Sequence, residues 1–388
     1  MRIARKMDRL GMETAFDVLA QARALEAQGK SVIHLEIGEP DFDTPSSIVV
    51  AAKVALDEGF THYGPSQGLP ELREAIAAES ASSRGMAVDP SQVIVTPGAK
   101  PIMFFTIMAL AEEGEEVIYP DPGFPIYQSM IDFVGAKAVP LTLREERDFG
   151  IDLEELKSKI TPRTNLLIIN TPHNPTGGIV TPAQLEEIAA LAVKHDLWVL
   201  SDEVYRRILY QGEHVSISTF PGMAERTIIL DGYSKTYAMT GWRLGYGIVP
   251  QSLVEHFVRL VNNSVSCTPT FIQRAALAAP EAEADVAKMV AEFTERRKVV
   301  VEGLNSIDGI SCRWPAGAFY AFPNVTGVGV PAREFAHYLL HESGVATLAG
   351  TAFGPAGDGY LRISYANSLP NLREALRRIE AAVKTLKR

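Results

Sequence analysis

Cysteine is nearly absent: Cys267 and Cys312 are the only two among 388 residues. Two are too few for a disulfide framework and stand at no metal-ligand spacing, so a reducing cytoplasm is the expected compartment. Zinc chemistry has no signature, since His341-Glu-Ser-Gly-Val lacks the second histidine of a metalloprotease helix, and no metal is expected. Positive charge is also short, with 37 Lys and Arg against 47 Asp and Glu and a net charge of −10 at pH 7. No basic stripe offers itself to nucleic acid. Long apolar runs are missing as well. The most apolar segment, Ile102 to Ala111, is about half the ~20 residues that span a bilayer, so it reads as a buried helix. Near the start Arg2, Arg5, Lys6 and Arg9 are interrupted by Asp8 and Glu13, and no apolar signal core follows. Neither a cleaved leader nor a membrane partner is expected.

What remains is an ordinary globular composition, 46% hydrophobic and 22% charged, in a chain long enough for about two domains. From Val93 one pattern repeats: a short apolar run, a break rich in Gly, Pro and Asn, then a segment with helical spacing. Such alternation predicts parallel strands joined by crossover helices. The runs are Val93 to Thr96, Glu116 to Tyr119, Leu166 to Asn170, Trp198 to Ser201, Thr227 to Asp231 and Gly245 to Val249. Both alternating positions are apolar in most of them, as in strands covered on both faces. Pro182 to His195 reads as a crossover helix, with Thr181 as N-cap and Pro182 at the first helical position. After about Pro280 a long charged helix, Ala282 to Leu304, opens a stretch of mixed short elements. The expected division is a large domain at 46–280 and a smaller α+β domain formed by 1–45 and 281–388.

Open α/β sheets bind ligands at the carboxyl ends of their strands. Three polar residues fall there: Asn174 in the loop after Asn170, Asp202 after Ser201, and Lys235 after Asp231. One such residue is most often a solvated loop residue. Three at successive strand ends mark a site.

In these residues and their surroundings the chain resembles the class I/II aminotransferases, pyridoxal-phosphate (PLP) enzymes of fold type I. The landmarks are Gly38-Glu-Pro-Asp-Phe-Asp-Thr-Pro, Tyr63-Gly-Pro-Ser-Gln-Gly, His173-Asn-Pro-Thr-Gly, Ser201-Asp-Glu-Val-Tyr and Ser234-Lys-Thr-Tyr-Ala-Met-Thr-Gly-Trp-Arg. They span nearly the whole chain in the family's order. The resemblance implies an α/β fold with a mostly parallel central sheet, helices on both faces and a smaller α+β domain. It implies transfer of an amino group between an L-amino acid and a 2-oxo acid by a ping-pong route through PLP, in a homodimer with shared active sites.

Carried onto this sequence, Lys235 would hold the cofactor as a Schiff base and act as the base between Cα and C4′. Asp202 would pair with the ring nitrogen, while Asn174 and Tyr205 would hydrogen-bond the ring oxygen O3′. Phosphate would be held by Arg243, by the Gly98-Ala99-Lys100 turn at a helix start, and by Ser234. Phe124 would stack on the ring, although a lone aromatic is more often core. Arg362, flanked by apolar residues, would take the substrate α-carboxylate, with Gly38 close by through its backbone. Tyr63 would reach the phosphate of the neighbouring subunit's cofactor. One departure stands out: many relatives carry serine three residues before the lysine, where this chain has Gly232.

Other classes fit less well. Gly64-Pro-Ser-Gln-Gly matches a hydrolase nucleophile elbow, but no buried strand precedes it and Pro65 restricts the turn. A regulatory protein with an attached DNA-binding module finds no room in the chain. A PLP lyase or synthase of the same fold is the closer alternative. Among substrates, aspartate or glutamate is a candidate because some relatives place a lysine at the position of Lys100 to read a distal carboxylate. Asp196-Leu-Trp-Val-Leu-Ser-Asp and Phe353-Gly-Pro instead resemble enzymes for basic or neutral amino acids.

Overall fold

The computed structural model describes residues 2–387. Met1 and Arg388, the outermost residues of the expected small domain, lie outside the described residues. The strands are β1 (Ile33–His34), β2 (Val93–Thr96), β3 (Glu116–Asp121), β4 (Lys137–Thr142), β5 (Thr164–Asn170), β6 (Trp198–Asp202), β7 (Thr227–Gly232), β8 (Gly245–Ile248), β9 (Tyr320–Ala321), β10 (Val345–Ala346), β11 (Leu348–Ala349) and β12 (Leu361–Ser364). Helices α1 (Thr14–Ala27), α2 (Ser46–Asp57), α3 (Pro70–Arg84), α4 (Lys100–Leu110), α5 (Ile126–Val134), α6 (Leu153–Lys159), α7 (Pro182–Lys194) and the single turn α8 (Tyr233–Thr236) alternate with them.

Seven strands form the central sheet in the order β2-β8-β7-β6-β5-β3-β4. Alternation along β5 shows why both faces are apolar. Leu166 and Ile168 pack with Ile102, Met103 and Met130 of α4 and α5, whereas Leu167 and Ile169 pack with Leu185, Ile188 and Ala189 of α7. At about 1.5–3 kcal/mol for each fully buried large aliphatic side chain, these two layers hold the sheet between its helices. Thr181 caps α7 as expected, and Gln184 adds the reciprocal bond of a capping box.

Two strand expectations need correction. The run Gly245 to Val249 was expected to be parallel, but β8 is antiparallel to both β2 and β7. Residues 233–244 hold a single helical turn, too little chain to recross the sheet. The consequence is that β7 ends and β8 begins at one edge. The other unexpected element is β4, an edge strand whose residues are mostly part-exposed and which contains Pro140. Weak apolar content hides it, and an edge position tolerates the proline.

Beyond the central sheet, β12 pairs antiparallel with β9 and β11, and β1 pairs in parallel with β10. Ile33 and Leu35 share a core with Val300, Leu304, Phe335, Leu339 and Ile379. The chain near the N-terminus and the C-terminal portion therefore interleave. Among the described residues no helix is long and apolar enough to cross a membrane.

Candidate active site

Because β8 is antiparallel to both β2 and β7, those two strands run the same way, and the carboxyl ends of β2, β3, β5, β6 and β7 lie along one edge of the sheet. A cavity of about 520 Å³ opens there. Its lining includes Gly38, Ala99, Lys100, Phe124, Asn174, Asp202, Tyr205, Ser234, Lys235, Arg243 and Arg362. Gly98 lies just behind, against the Arg243 guanidinium. Tyr63 alone stands apart, with 90% of its surface exposed.

Two ionisable groups in this cavity are displaced in opposite directions. Lys235 sits on the turn after β7, its Nζ donating to the Gly38 carbonyl at 2.5 Å. Burial lowers its amine to about 8, Glu39 partly opposes that, and the cations Arg362 and Arg243 add to it. Asp202 ends β6 and is buried. Loss of water raises its carboxyl to about 6, opposed by hydrogen bonds from Tyr127 and from the Val204 amide. The Tyr127 hydroxyl donates to Asp202 Oδ2 at 2.5 Å, and burial beside that anion holds the phenol well above its ordinary range. One cavity thus holds an amine of lowered basicity, suited to taking up a proton, and a buried carboxylate, suited to holding one on a partner.

One corner is built for an anion. α4 opens at Lys100 with Ala99 as N-cap, so unpaired backbone amides and the positive end of the helix dipole face the cavity. Arg243 adopts a left-handed backbone conformation, φ 56°, and lies on Gly98 so closely that a Cβ there would meet its Nη2 at 2.2 Å. Gly245 is equally constrained, because a Cβ would meet the Ala99 amide nitrogen at 2.3 Å. Gly98 thus lets the guanidinium, and Gly245 the backbone of β8, approach the helix start. Ser234 is buried at the same wall, and Gly232 offers no hydroxyl there.

On the opposite side Arg362 projects from β12, with its guanidinium carbon 4.7 Å from the Tyr320 ring centroid and 4.9 Å from that of Phe353. Its Nη1 donates to Asn174 Oδ1 at 3.3 Å, Nη2 to the Glu36 carbonyl, and the buried Nε has no partner. A fork of donors held flat between two rings suits a carboxylate. Tyr320 also shares a 2.7 Å hydrogen bond with Tyr205, and its hydroxyl would collide with any Cβ at Gly38. At the mouth Lys100 is paired with Glu13 and lies 5.4 Å from the Phe124 ring centroid.

Four contributors escape sequence reasoning. Tyr127 lies one turn beyond Phe124 and meets it edge to face at 5.7 Å, a helical spacing that could have flagged it. Asn170 fastens the following loop: its Nδ2 donates to the carbonyls of Pro172 and Asp202, and its Oδ1 accepts from the Asn174 amide. Tyr320 sits inside the apolar run Ala318 to Phe322 with no local signal, and Glu13 reaches the cavity from the far end of the chain. Among the described residues no cluster of His, Cys, Asp and Glu could hold a metal ion.

The donor set fits PLP: an amine of lowered basicity for an aldehyde, a buried carboxylate for a ring nitrogen, and an anion corner for a phosphate. Comparison with known proteins agrees. The family model for aminotransferase class I and II matches residues 30–379. An aspartate aminotransferase of Pyrococcus abyssi is 45% identical over 363 residues, covering 92% of this chain and 93% of the relative. An aromatic-amino-acid aminotransferase of Thermococcus litoralis is 44% identical, covering 93% and 94%. The solved aspartate aminotransferase from Thermus thermophilus with maleate superposes with a TM-score of 0.95 at 37% identity, over 98% of this chain and all of that one.

The lowered basicity of Lys235 can be read without turnover. In the cofactor-free protein, the rate at which an acylating reagent labels Lys235, followed by peptide mass against pH, is expected to titrate with a midpoint near 8. A midpoint near 10.5, the ordinary lysine value, would contradict the burial argument.

Proposed function

Because the chain belongs to the class I and II aminotransferases and is a PLP-dependent transaminase, we propose that its amino-group transfer runs between Lys235 and Asp202 at the carboxyl edge of the central sheet. The observation that carries this is the opposite displacement of the two groups in one cavity. Bound there, PLP supplies an aldehyde for the amino group and a ring that accepts the electrons left at the substrate Cα. Asp202 holds a proton on the ring nitrogen. Lys235 Nζ takes the proton from the substrate Cα and returns it on the other side of the exchange. Asn174, with its oxygen committed to Arg362, keeps its amide NH₂ to donate to the ring oxygen, with Tyr205 beside it. Phe124 packs on the ring face. Arg243, Ser234 and the Gly98-Ala99-Lys100 turn hold the phosphate.

Arg362 and the Gly38 backbone orient the substrate α-carboxylate, a feature common to every donor. Selectivity then rests at the mouth. There the Lys100 ammonium is balanced by Glu13, so an acidic donor can displace Glu13 and use the freed cation, while a neutral donor leaves the pair intact. We propose aspartate or glutamate as the donor on this ground, in line with relatives named for aspartate. We also propose a division into a domain of residues 46–280 and a domain of 1–45 with 281–388, with Lys235 on the first and Arg362 on the second. The free state of Cys267 and Cys312 fits the cytoplasm.

We further propose a homodimer in which Tyr63 completes the partner's phosphate site. Its exposed phenol is held on a loop fixed by the Thr270 hydroxyl, which donates to the carbonyls of Phe60 and His62. Val50 and Val54, four residues apart on α2, also expose apolar surface. Sedimentation of the active enzyme is expected to show a dimer. A fully active monomer would end this reading.

Replacing Lys100 by Met is expected to lower kcat/KM for aspartate or glutamate by about 1–3 kcal/mol while leaving alanine nearly unchanged. Arg362→Leu is the control and is expected to impair all three donors. Equal damage to acidic and neutral donors would assign Lys100 to the phosphate corner or the fold. No damage at all would remove the support for an acidic substrate.

A further inference from the structure

Behind the cavity wall lies a charged cluster that none of the assigned roles uses. Arg84 is the last residue of α3, where a cation meets the negative end of the helix dipole, and its side chain is wholly shielded from water. Nε donates to Glu203 Oε2 at 2.7 Å and Nη2 to Asp231 Oδ2 at 2.6 Å. Nη1 turns back to the Ser80 hydroxyl at 3.2 Å. The two carboxylates occupy telling places. Glu203 follows Asp202 at the end of β6, and Asp231 lies on β7 four residues before Lys235.

We propose that Arg84 is a positioning residue for the transamination site: it ties the backbone carrying Asp202 to the backbone carrying Lys235 and balances the charge behind them. This deepens, and rests on, the roles proposed for those two residues.

Every oxygen of the two tied carboxylates is engaged. Asp231 Oδ2 also accepts from Arg206 Nε at 2.7 Å and the Tyr246 hydroxyl at 2.9 Å, while Oδ1 accepts from the Gly232 amide at 2.7 Å. Glu203 Oε1 accepts from Ser201 and Ser216, and His214 Nε2 lies 3.0 Å from Oε2. Arg206 reaches on to Glu79 at 2.6 Å. Cluster and catalytic strand ends are thus one rigid body, since the Glu203 amide continues the ladder to the Leu230 carbonyl at 2.8 Å.

Charge follows the same geometry. Three deeply buried carboxylates, Asp202, Glu203 and Asp231, meet two deeply buried guanidiniums, Arg84 and Arg206. Neither guanidinium pairs with Asp202: both engage Asp231 and the half-exposed Glu79, Arg84 also engages Glu203, and Asp202 is the one of the three that lines the cavity. Facing it are the phenols of Tyr127 and Tyr205 from the cavity side, and Glu203 and Asp231 from behind, each of the two carboxylates raising its proton affinity. Without Arg84, Asp231 would keep only Arg206, which it shares with Glu79, and Glu203 only the His214 ring, so Asp202 would hold its own proton more tightly. Neutralising Glu203 would do the reverse.

That pair of opposite signs is the test. Arg84→Met, Arg84→Lys and Glu203→Gln are compared with wild type for kcat and KM, for the pH midpoint of the acid limb of kcat, and for the dissociation constant of PLP measured on the cofactor-free protein. Arg84→Met is expected to lower kcat about tenfold with KM within about threefold, to raise the midpoint by about one pH unit and to weaken PLP about tenfold, since one unit is a factor of ten. Arg84→Lys, keeping the charge but not the fork, is expected to hold the midpoint near wild type with intermediate kcat. Glu203→Gln is expected to move the midpoint down. If Arg84→Met does not fold, the Glu203→Gln shift decides. Variants that lose only melting temperature, or midpoints that do not separate in opposite directions, would overturn the proposal. Asp202→Asn is the comparator: if it remains fully active, the underlying reading fails, whereas its inactivation beside unaltered Arg84 variants sinks the positioning role alone.

Discussion

Taking the Asp202 carboxylate out of water is the constraint around which the site is organised. An isolated buried carboxylate takes up a proton, and a protonated Asp202 could not hold a proton on a ring nitrogen. The chain supplies counterweights at two distances. The Tyr127 hydroxyl and the Val204 amide donate directly, and the anions behind Asp202 are themselves held by Arg84 and Arg206. What remains is a carboxyl raised only to about 6, mostly ionised at neutral pH. The same desolvation acts on Lys235 with the opposite sign and brings it to about 8. One low-dielectric cavity thus brings an acid and a base toward each other in pKa, and a dimension shared by both is the strand edge that carries them.

That edge follows from connectivity. Crossover helices return each parallel strand to the same side, so Asn170, Asp202 and the β7 terminus align by topology. The one reversed strand, β8, starts where β7 stops, which brings Arg243 and Gly245 back beside Lys235. Small residues then allow contact. Gly98 admits the Arg243 guanidinium, Gly245 lets β8 approach the backbone at the start of α4, and Gly38 admits the Tyr320 hydroxyl. Arg362, set between Tyr320 and Phe353, faces this frame from the other portion of the chain.

The parts legible in the sequence are those encoded locally. Strands buried on both faces announce themselves as runs such as Leu166 to Asn170, and polar residues that interrupt them, Asp202 above all, stand out against that background. Caps and breaks mark Pro182 as a helix start and the Gly98-Ala99 turn as the opening of α4. Elements whose signals cancel were not legible: β4 is a polar edge strand, and β8 looks like its parallel neighbours because burial, not direction, sets its composition. Side chains that meet across long separations were hidden for a different reason. Glu203 reads as an acidic residue after Asp202, and nothing nearby shows that Arg84, 119 positions earlier, will satisfy it. Tyr320 is one aromatic among several apolar residues until the fold sets its hydroxyl beside Tyr205 and Gly38.

The central claim is that an ionised Asp202 drives the proton transfer made by Lys235, and the half-reaction isolates it. Holoenzyme is mixed with excess amino donor in a stopped-flow spectrometer, and conversion of the cofactor to its amine form is timed for wild type and Asp202→Asn at matched PLP occupancy. The expected result is a slowing on the order of a hundredfold, about 2.7 kcal/mol at 1.36 kcal/mol per factor of ten, with PLP still bound. An Asp202→Asn half-reaction at the wild-type rate would contradict the account.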